Sequence, residues 1–231
     1  MSFFRSINSY KGTAFEVIVI VFGVMLSFLL NEIRIDLDDK DETISTLIQI
    51  KADLEKDLED TEINIDTETS AFISCKYILK SLNSRNEYNK ELNKEFDKLN
   101  YYSILLPSTT GLNILNSNGV NCITNDSLRV KFLQLHNYWY KQRAMVAEKY
   151  TPLLNNINNY LYRNFNRTEI MYDNDELQPN DYNNLLDDSY FISLVNASRT
   201  QHDYLFYCDS LIKAGILEIL PLIDEEIGKL K

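Results

Sequence analysis

Glu16 is the residue whose type and position most suggest a chemical role, because it directly precedes an apolar run from Val17 to Leu30. One interpretation places it at the amino end of a membrane helix, where its side chain reaches the lipid headgroups and its charge suits the helix dipole. A second has several copies assemble so that their Glu16 carboxylates line a channel, since carboxylate rings attract cations in pores. We favour the first, because an ionisable group costs less near a helix end than at the bilayer centre.

The other residues that could hold a metal lack the spacing for it. His136 and His202 are the only histidines, and His202 is six residues from Cys208, on a different face of a helix. A metal site needs three or four converging ligands. The aspartates of segment 173–181 resemble a calcium-binding loop but lack its glycine and its final glutamate. We therefore predict neither a metal nor a cofactor.

No catalytic motif is present in the sequence. It has none of the patterns of serine hydrolases, phosphate-binding loops, dinucleotide-binding folds or zinc peptidases. Cys75, Cys122 and Cys208 show no paired spacing, which indicates buried free thiols rather than disulfides or a zinc site. We therefore predict a protein that is not an enzyme and has no catalytic residues.

The apolar run predicts a transmembrane helix over residues 14–31, after an N-terminal tail of residues 1–13. With the two apolar residues before the glutamate it reaches about 17 residues, the short end of what crosses a bilayer. It ends in bulky and charged residues rather than in a signal-peptide cleavage site, so we expect it to be retained. A buried core helix is the alternative, which the length and apolar density disfavour. Glu16, Gly23 and Asn31 are its candidate contacts with membrane or oligomer partners.

The charge of the chain is concentrated directly after this run. The formal net charge is −11, and segment 32–68 alone carries fourteen acidic and four basic residues, a net of −10. Such a surface repels a phosphate backbone, so we expect no nucleic-acid partner. Lys and Arg flank the span almost equally, and the short amino-terminal tail favours an amino terminus inside the cytoplasm. The soluble domain is then expected on the extracytoplasmic side.

A long acidic, amphipathic helix is predicted over residues 36–82. The chain has no Gly or Pro in residues 25–105, and apolar residues recur at the three-to-four spacing of a coiled-coil seam. Lys51, Thr61 and Glu68 interrupt that stripe, and the acidic run DLEKDLEDTE is expected on the solvent-exposed face. The predicted stripe consists of Ile44, Leu47, Leu54, Leu58, Ile65, Phe72, Cys75, Leu79 and Leu82.

The remaining sequence, residues 88–231, predicts further helices packed as an antiparallel bundle. Gly119 is expected to end a short helix with a positive φ, and Thr124 to cap the helix that follows. The one long loop is expected at residues 173–181, and no strand is predicted. The fold class is thus all-α: an N-terminal transmembrane helix leading into a long amphipathic helix and an antiparallel helical bundle, with residues 32–231 as the soluble domain.

Three stretches resemble an uncharacterised bacterial family of single-pass membrane proteins with an α-helical soluble region. They are FEVIVIVFGVMLSFLLNE, TGLNILNSNGVNCITNDSLRVKFLQLHNYW and LLDDSYFISLVNASRTQHDYLFYCDSLI. The first stretch matches the family in a glutamate that opens the span. The second matches in a short helix followed by a turn and a capped helix, and the third in the penultimate helical hairpin. The resemblance implies this architecture only and no activity. We expect the protein in the bacterial inner membrane. The acidic segment after the span departs from the family, where it is usually basic.

These observations lead to two hypotheses for function. The first is a membrane-anchored helical bundle that acts as a sensor or interaction scaffold, with the lipid bilayer and a protein partner or a second copy as its contacts. The second is a membrane effector whose spans oligomerise into a channel-like assembly around Glu16. Neither hypothesis involves catalysis.

Overall fold

The computed structural model describes the backbone of residues 3–167 and 176–231, and their side chains except those of residues 3–15, 18 and 121. Nearly all of it is helical, which confirms the predicted all-α class. The helices are α1 (Phe3–Asn83), α2 (Leu92–Asp97), α3 (Thr110–Asn118), α4 (Asp126–Gln134), α5 (Tyr140–Asn164), α6 (Tyr182–Asp187) and α7 (Ser189–Leu230). Single turns of 3-10 helix cover Lys98–Asn100 and Val120–Cys122, and a π-helical segment covers Leu135–Trp139.

Helix α1 contains both the predicted span and the predicted acidic helix as parts of one uninterrupted element. Its continuity follows from the lack of Gly and Pro after residue 23, since these are the residues that weaken or kink a helix. The helix ends shortly before Arg85, whose φ is 48°. The described side chains of residues 16–42 are almost all exposed, whereas burial begins at Thr43.

From Thr43 onward, α1 packs antiparallel against α7, and α5 packs against α7 as well. Lys51 pairs with Asp224 at 2.7 Å and Glu62 pairs with Lys213 at 2.8 Å. Residues later in α1 therefore contact residues earlier in α7, as expected for antiparallel helices. The three long helices form the framework of the bundle, and the short helices pack against its ends.

The buried stripe of α1 differs from the predicted one in its middle. Thr61 and Glu68, predicted as interruptions, are fully buried, whereas Leu58 and Ile65 are only partly buried. Asp57, from the acidic run expected to face solvent, is also fully buried. These polar groups have hydrogen-bond partners within the bundle, which offset the cost of removing them from water. The buried residues of α1 are Thr43, Thr46, Leu47, Ile50, Leu54, Asp57, Thr61, Asn64, Glu68, Ala71, Ser74, Cys75, Ile78, Leu79, Ser81 and Leu82 among those described.

Two apolar clusters lie toward opposite ends of the bundle. One joins the end of α1 to α2, α6 and the start of α7, and in it the ring centroids of Phe96 and Phe191 lie 6.1 Å apart. The other joins the segment of α1 around Leu54 to α3, α4 and the later part of α7 around Ile216. Between these clusters lie Asp57, Thr61, Asn64 and Glu68 of α1. Apolar burial stabilises both ends, and between them the helices are connected by polar contacts and by a smaller apolar cluster of α5 and α7.

Two short strands are present where none was predicted. Strand β1 (Phe165–Arg167) pairs antiparallel with β2 (Leu177–Pro179), with Phe165 opposite Pro179. Both strands are too short for an alternating pattern to be visible in the sequence. Phe165 and Leu177 are buried in the apolar cluster around Phe96, and that tertiary contact favours the pairing.

The predicted loop 173–181 falls partly outside the described residues, which resume at residue 176. Within the described part, β2 occupies three of its residues, and Asp181 caps α6 by accepting hydrogen bonds from the backbone N–H groups of Asn183 and Asn184.

The turn at Gly119 is confirmed, whereas the predicted cap at Thr124 is wrong by one residue. Gly119 follows α3 with a φ of 88°, a conformation that favours glycine. The side chain of Asn125 caps α4 by accepting from the backbone N–H of Leu128 at 3.1 Å. The Thr124 hydroxyl instead donates to Glu226 of α7 at 2.5 Å. Both residue types make good caps, and the contact with α7 decides between them.

In the part of the chain whose side chains are described, no helix combines the length and the apolar character needed to cross a membrane. The predicted span 14–31 lies partly outside that part, because the side chains of residues 14, 15 and 18 are not among those described.

The start of α3 lies directly against α1. The backbone N–H of Gly111 donates to the Asp53 carboxylate at 2.7 Å, and that of Ser108 donates to Asp57 at 2.8 Å. A Cβ at Gly111 would come within 2.8 Å of the Ile50 Cα. The glycine is therefore required by the close approach of two backbones, and the carboxylates of α1 hold the incoming chain.

We expect Gly111→Ala to destabilise the protein by about 1–3 kcal/mol, because the added methyl group meets backbone that cannot move aside. Gly228→Ala is the matched control, since a Cβ there meets nothing within 4 Å. Thermal unfolding followed by circular dichroism measures both. Equal melting temperatures for the two variants would contradict the close packing of α3 on α1.

Candidate functional site: a buried polar layer

A layer of polar side chains crosses the bundle between the two apolar clusters. We call it the polar layer, and its members are Glu68 on α1, Ser103 in the segment before α3, Arg143 and Tyr150 on α5, and Ser198, His202 and Asp209 on α7. Each is at most 4% exposed. Charged residues are rarely buried unless they are paired, so the layer must satisfy its own polar groups.

Arg143 connects the carboxylates of the layer. Its Nε donates to Asp209 Oδ1 at 2.8 Å, and its Nη2 donates to the Ser103 hydroxyl at 2.6 Å. The same Nη2 lies 3.8 Å from Glu68 Oε1. A guanidinium presents donors in a fixed planar fork, so one side chain holds groups from α1, α7 and the intervening segment in a fixed geometry.

Glu68 and His202 form the second connection. Glu68 Oε2 lies 2.5 Å from His202 Nδ1, and the Ser103 hydroxyl donates to Glu68 Oε1. A carboxylate beside Nδ1 keeps the proton on that nitrogen. The other ring nitrogen, Nε2, lies 3.3 Å from the Tyr150 hydroxyl, which can donate to it.

The hydrogen bonds continue from Tyr150 toward the apolar cluster around Phe96. The Tyr150 hydroxyl lies 3.5 Å from Ser198 Oγ, which also accepts from the Cys75 thiol at 3.7 Å. Burial raises the pKa of Tyr150, and it raises the pKa of Cys75 to about 11. Both groups therefore keep their protons at neutral pH, and Cys75 is a packed thiol rather than a reactive one.

Asp209 is the least well paired member of the layer. Its Oδ1 accepts from Arg143, but Oδ2 is buried and has no hydrogen-bond partner among the described residues. Burial raises the pKa of Asp209 to about 6, the nearby Arg143 opposes that rise, and Glu68 adds to it.

The side chains of Glu68, His202 and Tyr150 form a hydrogen-bonded chain that runs from a carboxylate through an imidazole to a hydroxyl. Such an arrangement can orient an imidazole for proton transfer. The Tyr150 side chain is 1% exposed, however, and the ring of Tyr102 lies 6.2 Å from it. A substrate could reach the hydroxyl only if the helices moved apart. In the closed bundle, the layer fixes the alignment of α1, α5 and α7.

A second polar group lies nearer the predicted span. Asp57 Oδ2 accepts from the Tyr140 hydroxyl at 2.7 Å, and burial raises the pKa of Asp57. His136, in the π-helical segment, packs between the rings of Phe132 and Tyr140, at centroid distances of 4.5 and 5.0 Å. Burial lowers the pKa of His136 to about 4, with Asp53 opposing that change, so the ring is neutral at pH 7.

The predicted site residues of the span lie apart from the polar layer. Glu16 is exposed, and the backbone of Gly23 has open space around it. Gly23 and Asn31 share one groove of about 460 Å³ on the exposed part of α1. The structure thus brings two of the three predicted residues onto one face and none of them to the polar layer.

Sequence analysis missed the polar layer because its members were judged one at a time. Glu68 counted as an interruption, His202 counted as an isolated histidine, and Arg143 was not singled out. The available signal was the spacing: residues 61, 64 and 68 on α1 and residues 198, 202, 205 and 209 on α7 continue the seams of their helices. Pairing between the two seams is a tertiary property that spacing alone does not show.

Comparisons with models of known protein families, with characterised proteins and with solved structures found no match. The resemblance to the uncharacterised bacterial family therefore stays a prediction from the three matching stretches.

We expect Arg143→Met to destabilise the protein by about 3–5 kcal/mol, because it leaves two buried carboxylates without their cation. The matched control is Lys213→Met, which removes the cation from a partly exposed pair between α7 and Glu62 of α1 and should cost far less. Urea unfolding of both variants measures the difference. A similar small loss in the two would show that Arg143 does not connect the layer.

The buried His136 predicts acid sensitivity. Its pKa in the folded state, about 4, lies below the ordinary 6.5, so its contribution to stability is present above pH 6.5 and is lost as the pH falls toward 4. We expect His136→Phe to reduce the loss of unfolding free energy between pH 7 and pH 4 by about 1–3 kcal/mol. Unfolding free energies from pH 4 to 7 test this, and parallel curves for variant and wild type would contradict it.

Proposed function

We propose that this protein is a membrane-anchored helical bundle that acts as a sensor or interaction scaffold and has no catalytic activity. The observation that carries the proposal is the exposed apolar surface at the start of α1. Between Val17 and Leu30, its described large apolar side chains are all at least 45% exposed. They are Val17, Val19, Ile20, Val21, Phe22, Val24, Met25, Leu26, Phe28, Leu29 and Leu30.

These side chains surround the helix on every side. Val19, Ile20, Val21 and Phe22 are consecutive, and consecutive residues of a helix point about 100° apart. A helix that is apolar all round has no polar face to turn toward water, so it needs a lipid or protein environment. With Ala14 and Phe15, which precede Glu16, the apolar sequence reaches about 17 residues, and this length supports a bilayer as that environment.

The segment between the apolar run and the bundle has the character of a membrane boundary. Residues 32–42 are rich in charge, and Arg34 pairs with Asp38 at 3.7 Å in full exposure to solvent. Buried residues of the bundle begin directly afterward, at Thr43. Charged residues beside an apolar helix resist entry into the bilayer, so the bundle would stand at its surface.

A role in sensing or scaffolding is supported by the continuity of α1. One helix carries both the exposed apolar run and Glu68, which contacts Ser103, Arg143 and His202 in the polar layer. A rotation or shift of the apolar part would therefore act on the alignment of the bundle helices. We propose the bacterial inner membrane as the location, with the bundle on its extracytoplasmic side.

The alternative is an effector whose apolar helices assemble, with Glu16 lining the assembly. The groove lined by Ile20, Gly23, Ser27, Phe28 and neighbouring residues favours it, because small residues let two membrane helices approach closely. The mass of the protein in mild detergent distinguishes the two functions. A monomer or dimer cannot form a ring of helices and would exclude the channel-like assembly.

Charge placed in the apolar run tests the anchor. We expect full-length protein to remain with membranes after an alkaline wash. The double variant Ile20→Asp and Val24→Asp should be released, because each buried charge costs about 2.5–3.5 kcal/mol near a helix centre. The matched control is Ile63→Asp with Ile73→Asp, at two exposed positions of α1 within the bundle. Release of the wild type, or identical behaviour of both variants, would overturn the anchor.

A further inference from the structure

Asp209 Oδ2 is a carboxylate oxygen in a fully buried side chain, without a hydrogen-bond partner among the described residues. The charged and titratable groups that face Asp209 come from each packed helix. Glu68 comes from α1, Arg143 from α5, and Cys208 from α7 itself. Unpaired buried polar atoms are uncommon in folded proteins, so this oxygen requires a physical explanation.

Two buried carboxylates of the polar layer approach the same guanidinium. Glu68 and Asp209 both lie near Arg143, and the nearby Glu68 raises the pKa of Asp209. A carboxylate in a site shielded from water is strongly unfavourable when it is poorly paired, and such groups commonly take up a proton instead.

The hydrogen bonds indicate which group binds that proton. Glu68 has three polar neighbours, Ser103, His202 and Arg143. Asp209 accepts only from Arg143 among the described residues. The weakly paired carboxylate is therefore the group that is cheapest to protonate.

We propose that Asp209 Oδ2 is a buried proton-binding site, filled in mildly acidic solution while the bundle is closed and emptied when α7 separates from α5. Opening of the bundle then releases one proton, and acid favours the closed form. The raised pKa of about 6 agrees with this geometry. The inference concerns the bundle alone and does not depend on whether α1 enters a membrane.

The sign of the pH effect follows from linkage. The folded-state pKa of Asp209 lies above its ordinary value of 3.8. Its contribution to stability is therefore fully present below pH 4 and is lost as the pH rises through 6. His136 acts in the opposite direction over the same range, so the two effects partly cancel in the wild type. A comparison of variants separates them.

The test uses full-length wild type and Asp209→Asn, which imitates the protonated carboxyl. The folding equilibrium constant of the variant, relative to that of the wild type, should rise about 10- to 100-fold between pH 4 and pH 7. His136 is present in both proteins and drops out of the ratio. The matched control Asp203→Asn, at an exposed position of α7, should leave the ratio constant. A constant ratio for Asp209→Asn as well would overturn the proposal.

A spectroscopic measurement on the folded wild type detects the protonated carboxyl directly. Infrared difference spectra of the wild type between pH 5 and pH 8 should show loss of one protonated carboxyl band. That band should be absent from Asp209→Asn, and in Glu68→Gln it should disappear at a lower pH, because the Glu68 charge raises the pKa of Asp209. Absence of the band from the wild type, or its loss only in Glu68→Gln, would place the proton elsewhere and overturn the assignment.

Discussion

The contact on which the bundle depends is that of the Arg143 guanidinium with the groups around it. It donates to Asp209 and Ser103 and lies 3.8 Å from Glu68, while only 1% of its surface is exposed. A buried cation is tolerated only with such partners, and the partners are equally unfavourable without the cation. Three segments that are distant in sequence are therefore held in one relative position by a single side chain.

This constraint explains why the middle of a coiled-coil-like seam is polar. Apolar residues at the same positions would bury surface in several helix alignments, whereas directional hydrogen bonds favour one. Asp57 performs a similar role nearer the start of the bundle, where its carboxylate accepts from Ser108 and Tyr140. The two apolar clusters supply most of the stabilisation, and the polar contacts between them select the alignment.

The same helix meets two very different environments along its length. In the bundle, α1 buries one stripe against its neighbours, but around Phe22 and Leu29 it exposes apolar side chains on every side. The proposed membrane attachment and the proposed proton-binding site are thus joined by one continuous helix. A rotation or shift at one end of α1 would be transmitted to the other end, since the helix has no break between them.

The sequence by itself determined the helical class, the end of α1 near residue 82, the turn at Gly119 and the apolar run, because each follows from local spacing or backbone preference. Only the tertiary structure decided which polar residues are buried. Glu68, Arg143 and Asp209 become a unit when three helices meet, and the choice of Asn125 over Thr124 as a cap depends on Glu226. Local propensity is encoded in neighbouring residues, whereas pairing across 66 or 102 positions is set by packing.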